Sequence, residues 1–339
     1  MAFLREFVLT VLCLAFAYAA TVSIINPRRK FRSELFPEVV PNSRAGKIAM
    51  FEAYEKTGAV HGVVIGSSTS MQLNPQTLER QTGVRFFNFS VFAGHPEDYL
   101  AIYGFLRARN VPIERVILGM DLLAFDPNTQ PSDDFSLNAD LRAGLERRTS
   151  TALERLAVTA REYKETFGFS YAMDAFRGAK VAIRPVTPMH GFTPDGRVLT
   201  PLWDEQKAKG TVDYRGSVDR CSDRAVAAAS VSDHLDPQRV QRFEALLQAF
   251  KRDGVAVTLW ITPYHPDMFA RIDRNPKAAQ SLARSRQYIE EAARRMQIPL
   301  VDLNRAESFG GDPSSWEDCA HFGPPEADRI ATVLTAHGV

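Results

Sequence analysis

Two serines follow a short apolar run near the start of the chain. Residues 63–70 read VVIGSSTS, so a predicted strand ends at Gly66 and presents the hydroxyls of Ser67 and Ser68. In open parallel sheets, ligands bind beyond the carboxyl ends of the strands, which is where these hydroxyls fall. A serine in a first helical turn also has backbone N–H groups and the positive end of the helix dipole nearby, which stabilise an oxyanion. The pattern therefore places a serine of this pair where a nucleophile would be useful.

A serine nucleophile needs a base that takes its proton and a carboxylate that orients the base. Of the seven histidines, His321 follows the last predicted strand, in the sequence Asp318-Cys319-Ala320-His321. This loop belongs to the same edge of the sheet as Ser68, and a spacing of three lets Asp318 accept the Nδ1 proton. The residues predict a Ser68–His321–Asp318 triad. The alternatives are a helix N-cap for Ser68 and a local loop hydrogen bond for Asp318 and His321.

The elements that position these residues alternate between strand and helix. This alternation predicts an α/β fold in which helices cover a largely parallel sheet. The predicted strands are Gly62–Ile65, Arg85–Phe89, Arg115–Met120, Val255–Ile261 and Leu300–Leu303, and the clearest helices begin near Pro96, Pro237, Pro276 and Pro324.

The alternation breaks between about residues 125 and 235. Charged amphipathic helices around Asn138–Phe167 precede a turn-rich stretch, Pro188–Trp203, which contains Pro194-Asp195-Gly196. We interpret this region as a helical, turn-rich insertion over the carboxyl edge of the sheet. It is either a surface elaboration or a lid that recognises substrate, because long insertions in α/β enzymes often shape the site.

The amino-acid composition limits the classes of partner that the protein could bind. The chain has 339 residues with 41 basic and 40 acidic side chains, so its net charge of +1 gives no field that attracts nucleic acid. No zinc-ligand spacing and no glycine-rich phosphate loop follows a strand. We therefore predict no metal, no cofactor and no nucleic-acid partner.

The amino terminus contains a candidate membrane span. Phe7–Ile25 carries no charge and is long enough to cross a hydrocarbon core of about 30 Å. We predict an anchor and basic connector over residues 1–32 and one domain over residues 33–339. A cleaved signal ending at Ala17-Tyr18-Ala19 is the alternative, since that sequence has the small-x-small form.

The side of the membrane on which the domain lies is predicted less directly. The basic flank Arg28–Arg32 follows the span, and the positive-inside rule applied to it places the domain in the cytoplasm. Export to the periplasm is the interpretation that we adopt on other grounds. In an exported domain we expect a disulfide between Cys221 and Cys319, which would restrain the loop that carries Asp318 and His321.

The two end motifs resemble the SGNH, or GDSL-like, superfamily of esterases and acyltransferases. The Gly66-Ser67-Ser68 motif matches its first block, and Asp318 with His321 matches its last. The resemblance covers roughly residues 60–121 and 255–339, and implies a flavodoxin-like three-layer sandwich. The Gly-Ser-Ser form is most similar to membrane-anchored envelope proteins, including the teichoic-acid D-alanylation protein, with the alginate O-acetylation proteins as more distant relatives.

The middle blocks of the superfamily match less well. Ser90 stands where family members have an oxyanion glycine, although its backbone N–H retains the ability to donate. We expect the N–H groups of Ser68 and Ser90 at the oxyanion, with Gly94 nearby. Asp121 replaces the family's asparagine donor, and an ionised carboxylate cannot donate a hydrogen bond. Asp121 must therefore turn away, be protonated or serve another purpose, such as accepting backbone hydrogen bonds where its strand ends.

His265 ends another predicted strand at the same edge, in the sequence TPYHP. It is either a substrate contact or a structural loop histidine.

The resemblance implies a membrane-anchored serine esterase or O-acyltransferase that acts on acetyl or similar esters of a cell-envelope carbohydrate. A membrane-bound O-acyltransferase is the implied protein partner. One alternative is a catalytically inactive envelope scaffold that binds polysaccharide or a membrane acyltransferase, which Asp121 favours. Another is a cytoplasmic-facing lipid or thioester hydrolase, which follows if the basic flank fixes the topology.

Overall fold

The computed structural model describes residues 2–27, 35–36, 43–130, 135, 138–146, 151–153, 156–157, 160, 168–183 and 187–338. The predicted basic flank, residues 28–32, and most of the predicted helical stretch between residues 147 and 167 lie outside these ranges. The strands are β1 (Gly62–Ile65), β2 (Phe86–Asn88), β3 (Arg115–Met120), β4 (Gly191–Phe192), β5 (Val198–Leu199), β6 (Ala256–Ile261) and β7 (Leu300–Asp302).

Five of these strands form one sheet in the order β2-β1-β3-β6-β7, and every neighbouring pair is parallel. Counted within the sheet alone, this is the 2-1-3-4-5 order of a flavodoxin-like fold, with the change of direction between β1 and β3. The sheet confirms the predicted α/β class. The antiparallel pair of β4 and β5 lies apart from it, within the predicted insertion.

Helices lie on both faces of the sheet. Those with bounds inside the described residues are α1 (Ala2–Ile25), α2 (Ser43–Glu55), α3 (Pro75–Thr82), α4 (Pro96–Ala108), α5 (Ala139–Leu145), α6 (Phe169–Ile183), α7 (Pro201–Ala208), α8 (Tyr214–Val231), α9 (Pro237–Asp253), α10 (Pro266–Asp273), α11 (Pro276–Met296) and α12 (Pro324–Ala336). The largest buried cluster joins one sheet face to α2, α4, α9 and α11, and a second joins the other face to α3 and α12.

The strands are apolar throughout because both of their faces are covered. Successive strand residues point to opposite sides, so Val63 and Ile65 belong to one cluster whereas Val64 belongs to the other. All three side chains are fully buried. Uninterrupted apolar strands are typical of parallel sheets between two helical layers. This arrangement confirms the three-layer sandwich and places the carboxyl ends of β1, β3 and β6 at one edge.

Capping residues mark both ends of α9 and the start of α5. The Asp236 side chain accepts hydrogen bonds from Gln238 N at 2.7 Å and Arg239 N at 3.1 Å, which makes it the N-cap of α9. The same helix ends at Gly254, whose φ of 69° is left-handed. Asn138 caps α5 by accepting from Leu141 N at 3.0 Å.

One helix in the described part of the chain, Phe3–Ile25, is long and apolar enough to cross a membrane. Only 6% of its most apolar window is buried by the rest of the protein. It agrees in length and composition with the predicted anchor. The division of the chain at residue 32 and the limits of the insertion remain predictions.

Candidate active site

Ser68 begins a short 3₁₀ turn, Ser68–Ser70, just beyond the carboxyl end of β1. Gly66 allows the chain to turn here, because a Cβ at this position would lie 2.4 Å from Ser70 Oγ and 3.2 Å from Gly119 O. Ser67 occupies the N-cap position and makes no capping hydrogen bond; its Oγ lies 2.9 Å from Thr69 Oγ1. The Ser68 hydroxyl is therefore inside the turn and is not the N-cap that the alternative interpretation expected.

His321 and Ser68 meet at this edge although they are 253 residues apart in sequence. His321 Nε2 lies 2.8 Å from Ser68 Oγ. Nδ1 of the same ring lies 2.9 Å from Asp318 Oδ1 and 2.8 Å from Oδ2. With Nδ1 protonated, Nε2 accepts the Ser68 O–H, which is the arrangement that general-base activation of a serine requires.

The loop around Asp318 is held by its own carboxylate. Oδ1 accepts hydrogen bonds from the backbone N–H groups of Ala320 and His321, both at 2.9 Å. The carboxylate therefore forms the turn and also fixes the orientation of the imidazole within it. The local hydrogen bond that we considered as an alternative is present, and it coexists with the contact to Ser68.

The charges of His321 and Asp318 shift the pKa values of these two residues in opposite directions. Loss of hydration lowers the pKa of His321, but the charge of Asp318 and its hydrogen bond raise it, and the net pKa lies above the ordinary value. Loss of hydration raises the pKa of Asp318, whereas His321 and two backbone N–H groups lower it below the ordinary value. An ionised Asp318 beside an imidazole stabilises the imidazolium that forms when the serine gives up its proton.

Glu317 is a second carboxyl group at the site, and the sequence analysis missed it. Its Oε1 accepts a hydrogen bond from Thr200 at 2.8 Å, and burial raises its pKa to about 7. Its charge also contributes to the raised pKa of His321. Nothing local in the sequence signals this effect, because Thr200 lies 117 residues away.

We expect the Glu317→Gln substitution to shift the acidic limb of the pH profile. Above about pH 7 Glu317 is ionised and supports the raised pKa of His321, so removing the charge lowers that pKa. The neutral base is then present at lower pH, and the acidic limb of kcat/KM moves to lower pH. Initial rates on 4-nitrophenyl acetate over a pH series measure this shift. An unchanged acidic limb would show that Glu317 does not influence His321.

Two backbone amides near the carboxyl end of β1 are candidate donors to an oxyanion. The Ser68 N–H is the first of its turn, and within the described chain neither it nor the Gly94 N–H has an acceptor. Gly94 lies against β1, because a Cβ on it would be 2.8 Å from Gly66 O. Tyr99 donates its hydroxyl to Gly94 O at 2.8 Å, which holds the peptide that follows Gly94.

The prediction for Ser90 is corrected by the structure. Its N–H donates to Asn88 Oδ1 at 3.0 Å and is therefore not free for an oxyanion. The Asn88 amide in turn donates to Ser70 O and Leu73 O, both at 2.9 Å, so it organises the chain that follows β1. Ser90 thus belongs to this support, which leaves the Gly94 N–H as the candidate second donor.

Asp121 turns away from the serine. Its Oδ1 accepts hydrogen bonds from the Tyr264 hydroxyl at 2.6 Å and from Leu123 N at 2.8 Å. The carboxylate therefore ties the end of β3 to the segment after β6 and does not line the cavity beside Ser68. This corrects its assignment as an oxyanion or substrate-binding residue, although its charge still raises the pKa of His321.

Of the two interpretations given for His265, the contacts of its side chain fit the structural one and not the assignment to substrate binding. The side chain is buried, its Nδ1 accepts from Asp267 N at 3.1 Å, and its Nε2 lies 2.7 Å from the Tyr214 hydroxyl. Both ring nitrogens are thus engaged, and the residue caps α10. Its backbone N–H donates to Cys319 O at 2.8 Å, which supports the Asp318–His321 loop from below.

A cavity of about 480 Å³ opens beside the triad residues. Ser68, Asp318 and His321 line one side of it, and the predicted insertion lines most of the rest, with Met189, Val198, Leu202, Trp203, Gln206 and Arg224 among its contributions. The insertion therefore lines the candidate site, which favours the second of the two interpretations given above.

Buried polar contacts attach the insertion to the sheet. Val198 N donates to Met71 O at 3.0 Å, and Asn88 N donates to Asp195 O at 2.9 Å. Lys47, whose side chain is fully buried, donates Nζ to Asn88 O at 2.7 Å and also to Gly196 O. These contacts hold the β4–β5 turn against β2, so the cavity wall is anchored at several points.

A disulfide joins Cys221 in α8 to Cys319, between Asp318 and His321. The pairing agrees with the expectation for an exported domain. It closes a loop of 98 residues, which the loop-entropy description equates with about 4 to 5 kcal/mol of stabilisation. Cys221, Asp318 and Cys319 are also the one cluster with metal-ligand geometry among the described residues, but the two sulfurs are bonded to each other.

No protein-family model and no curated protein sequence matches the chain. Among solved structures, it is similar to one described as a candidate acylhydrolase from Bacteroides fragilis, with 10% identity and a TM-score of 0.38, over 84% of this chain and 91% of that one. It is also similar to one described as a candidate SGNH hydrolase from Slackia heliotrinireducens, with 11% identity and a TM-score of 0.37, over 83% and 99%. The functional assignment rests on the chain's own residues.

Proposed function

We propose that this chain is a membrane-anchored, SGNH-like serine esterase or O-acyltransferase. The observation that carries the proposal is the 2.8 Å distance between Ser68 Oγ and His321 Nε2, with Asp318 on the opposite nitrogen of the ring. A serine, a histidine and a carboxylate in this order form the arrangement that activates a hydroxyl for acyl transfer.

The proposed reaction has two halves. Ser68 Oγ attacks the carbonyl carbon of an ester while its proton passes to His321 Nε2, and Asp318 stabilises the resulting imidazolium. The negative charge on the carbonyl oxygen is met by the N–H groups of Ser68 and Gly94. His321 then gives its proton to the departing alcohol oxygen, which leaves the acyl group on Ser68.

In the second half, the acceptor attacks the acyl carbon while His321 Nε2 takes its proton. The bond between the acyl carbon and Ser68 Oγ then breaks, and His321 returns the proton to Oγ, which restores Ser68. Water as the acceptor gives hydrolysis, and a sugar hydroxyl gives O-acyl transfer. The cavity supports a substrate larger than a simple ester, because Trp203 offers an aromatic surface and Gln206 an amide that donates and accepts hydrogen bonds. We propose an acetylated cell-envelope carbohydrate as the substrate class.

The proposed location is the periplasmic face of a membrane. The Cys221–Cys319 disulfide supports an oxidising compartment, and α1 supports an anchor. The basic residues after α1 favour the opposite topology. A reporter fused to the carboxyl terminus, active only on one side of the membrane, decides between the two. A membrane-bound O-acyltransferase is the proposed protein partner.

A fluorophosphonate probe tests the proposal directly. It labels only a serine whose neighbouring base increases its nucleophilicity, so we expect labelling of the wild type at Ser68. The Ser68→Ala and His321→Asn variants should lose the label. Ser67→Ala should keep it, because the Ser67 hydroxyl contacts Thr69 and makes no hydrogen bond to His321. A folded wild-type chain that remains unlabelled would support the non-catalytic scaffold instead.

A further inference from the structure

The free part of α1 is too short to cross a bilayer by itself. Its side chains are exposed from Phe3 to Tyr18, whereas Val22 and Ile25 are buried in the protein. At 1.5 Å per residue, this exposed stretch of 16 residues spans about 24 Å, less than the hydrocarbon thickness of about 30 Å. If α1 spans the membrane as proposed above, its last turns must reach the bilayer boundary while they contact the protein.

Those last turns contact α6. Val22 and Ile25 form a buried cluster with Tyr171 and Ala175 of that helix. The Tyr18 hydroxyl also donates to Gly168 O, at 3.4 Å, directly before α6. The contacts with α1 therefore fix α6 at the depth where the span leaves the hydrocarbon.

Another face of α6 carries large apolar side chains that the described residues leave partly or largely exposed. Met173 is 40% exposed, Phe176 66% and Ile183 80%. Their spacings of three and seven residues place them on one side of the helix, and exposed Lys180 lies on the same side. Apolar side chains with a lysine that can extend to the headgroups are typical of helices that lie in a membrane interface.

We propose that α6 lies in the plane of the bilayer boundary beside α1, with Met173, Phe176 and Ile183 among the acyl chains. The occupant of this face is lipid, because α6 packs against the end of a helix that itself requires lipid around it. These two contacts then hold the domain on the membrane surface in one orientation. The inference rests on the proposed anchor and adds a second, lateral contact with the bilayer.

Fluorescence quenching by lipid tests this proposal on the full chain. In a Cys13→Ser background the disulfide leaves no other free thiol among the described cysteines, so Phe176→Cys can be labelled with an environment-sensitive dye. The matched controls are Lys277→Cys and Arg294→Cys, exposed positions on α11 outside the α1–α6 cluster. The proteins are reconstituted in phosphatidylcholine and phosphatidylglycerol vesicles that contain doxyl-labelled lipid.

We expect blue-shifted emission at position 176 and at least twofold stronger quenching than at either control. Ile183→Cys provides the same measurement if Phe176→Cys does not fold. Quenching equal to that of the controls would overturn the proposal, and so would a blue shift without quenching, which would show that protein covers the face. Resistance of the chain to carbonate extraction separates the two claims: retention without quenching overturns only the α6 contact, whereas release overturns the anchor as well.

Discussion

Replacement of Ser68 by alanine should lower kcat for ester hydrolysis on the order of 10⁴- to 10⁶-fold, equivalent to about 5 to 8 kcal/mol of transition-state stabilisation. The hydroxyl is the only group of Ser68 that the substitution removes, and it lies 2.8 Å from His321 Nε2. Without it no acyl-enzyme forms, and only oxyanion stabilisation and substrate binding remain. Initial rates with 4-nitrophenyl acetate measure the loss on the full chain in detergent.

The matched control is Ser67→Ala, which removes a neighbouring hydroxyl of the same size. Ser67 Oγ contacts Thr69 Oγ1 and not the imidazole, so this variant should keep activity within a few-fold of the wild type. The thermal unfolding midpoint of both variants shows whether the turn after β1 is preserved. Retention of more than a tenth of the wild-type kcat by Ser68→Ala would exclude this serine as the nucleophile.

The position of Asp121 bears on the choice between enzyme and scaffold. An ionised carboxylate in the place of an oxyanion donor would oppose the developing charge, and on the sequence alone this favours a non-catalytic protein. In the structure the carboxylate is held by Tyr264 and Leu123 at the end of β3, outside the cavity lining. In the proposed reaction the oxyanion is met by the amides of Ser68 and Gly94, which do not depend on side-chain type. Asp121 therefore no longer favours a non-catalytic scaffold.

The sheet, and the placement of Ser68 and His321 at its edge, were predictable because the sequence signals for the strands and their ends are local. Strands such as β1, β3 and β6 are covered on both faces, so they read as short, uninterrupted apolar runs between helix signals. Strand ends of a parallel sheet share one edge, which is why Ser68 and His321 could be expected to meet across 253 residues. The order of strands and helices along the chain was enough to predict this long-range contact.

The misassigned residues depend on partners that no local pattern reveals. The Ser90 amide is occupied by Asn88, two residues earlier, but only the folded turn brings the two groups together. Tyr264 reaches Asp121 from 143 residues away. His265 is different, because a polar residue followed by Pro266 and Asp267 is a helix N-terminus signal that was available in the sequence.

The insertion shows the same limit on a larger scale. The sequence Pro194-Asp195-Gly196 predicts a turn, and Gly196 has the left-handed φ of 87° that such a turn uses. The contacts that bring this turn over the cavity come from Lys47 and Asn88, which precede it by more than 100 residues. Sequence alone therefore left open whether the insertion was decoration or part of the site.

Replacement of Asp318 by asparagine should lower kcat about 10⁴-fold while the loop keeps its shape. The asparagine carbonyl oxygen can still accept the backbone N–H groups of Ala320 and His321, as Asp318 Oδ1 does at 2.9 Å. Its NH₂ group then stands where Oδ2 accepts the Nδ1 proton of His321. The carbonyl oxygen also lies 2.9 Å from Nδ1, but it is already shared by two backbone N–H groups, so the NH₂ group favours the tautomer with the imidazole proton on Nε2, which points at Ser68 and cannot accept from it.

Comparison with Asp318→Ala separates orientation of the base from support of the loop. The alanine variant removes both, so we expect it to lose activity as well as thermal stability, whereas Asp318→Asn should lose activity with little change in the unfolding midpoint. The rate of fluorophosphonate labelling should fall in parallel with kcat in the asparagine variant, because the same serine performs both reactions. An asparagine variant with more than a tenth of the wild-type kcat would show that the carboxylate does not set the tautomer of His321. Another group would then have to accept the Nδ1 proton of His321, so that Nε2, which lies 2.8 Å from Ser68 Oγ, stays free to take the serine proton.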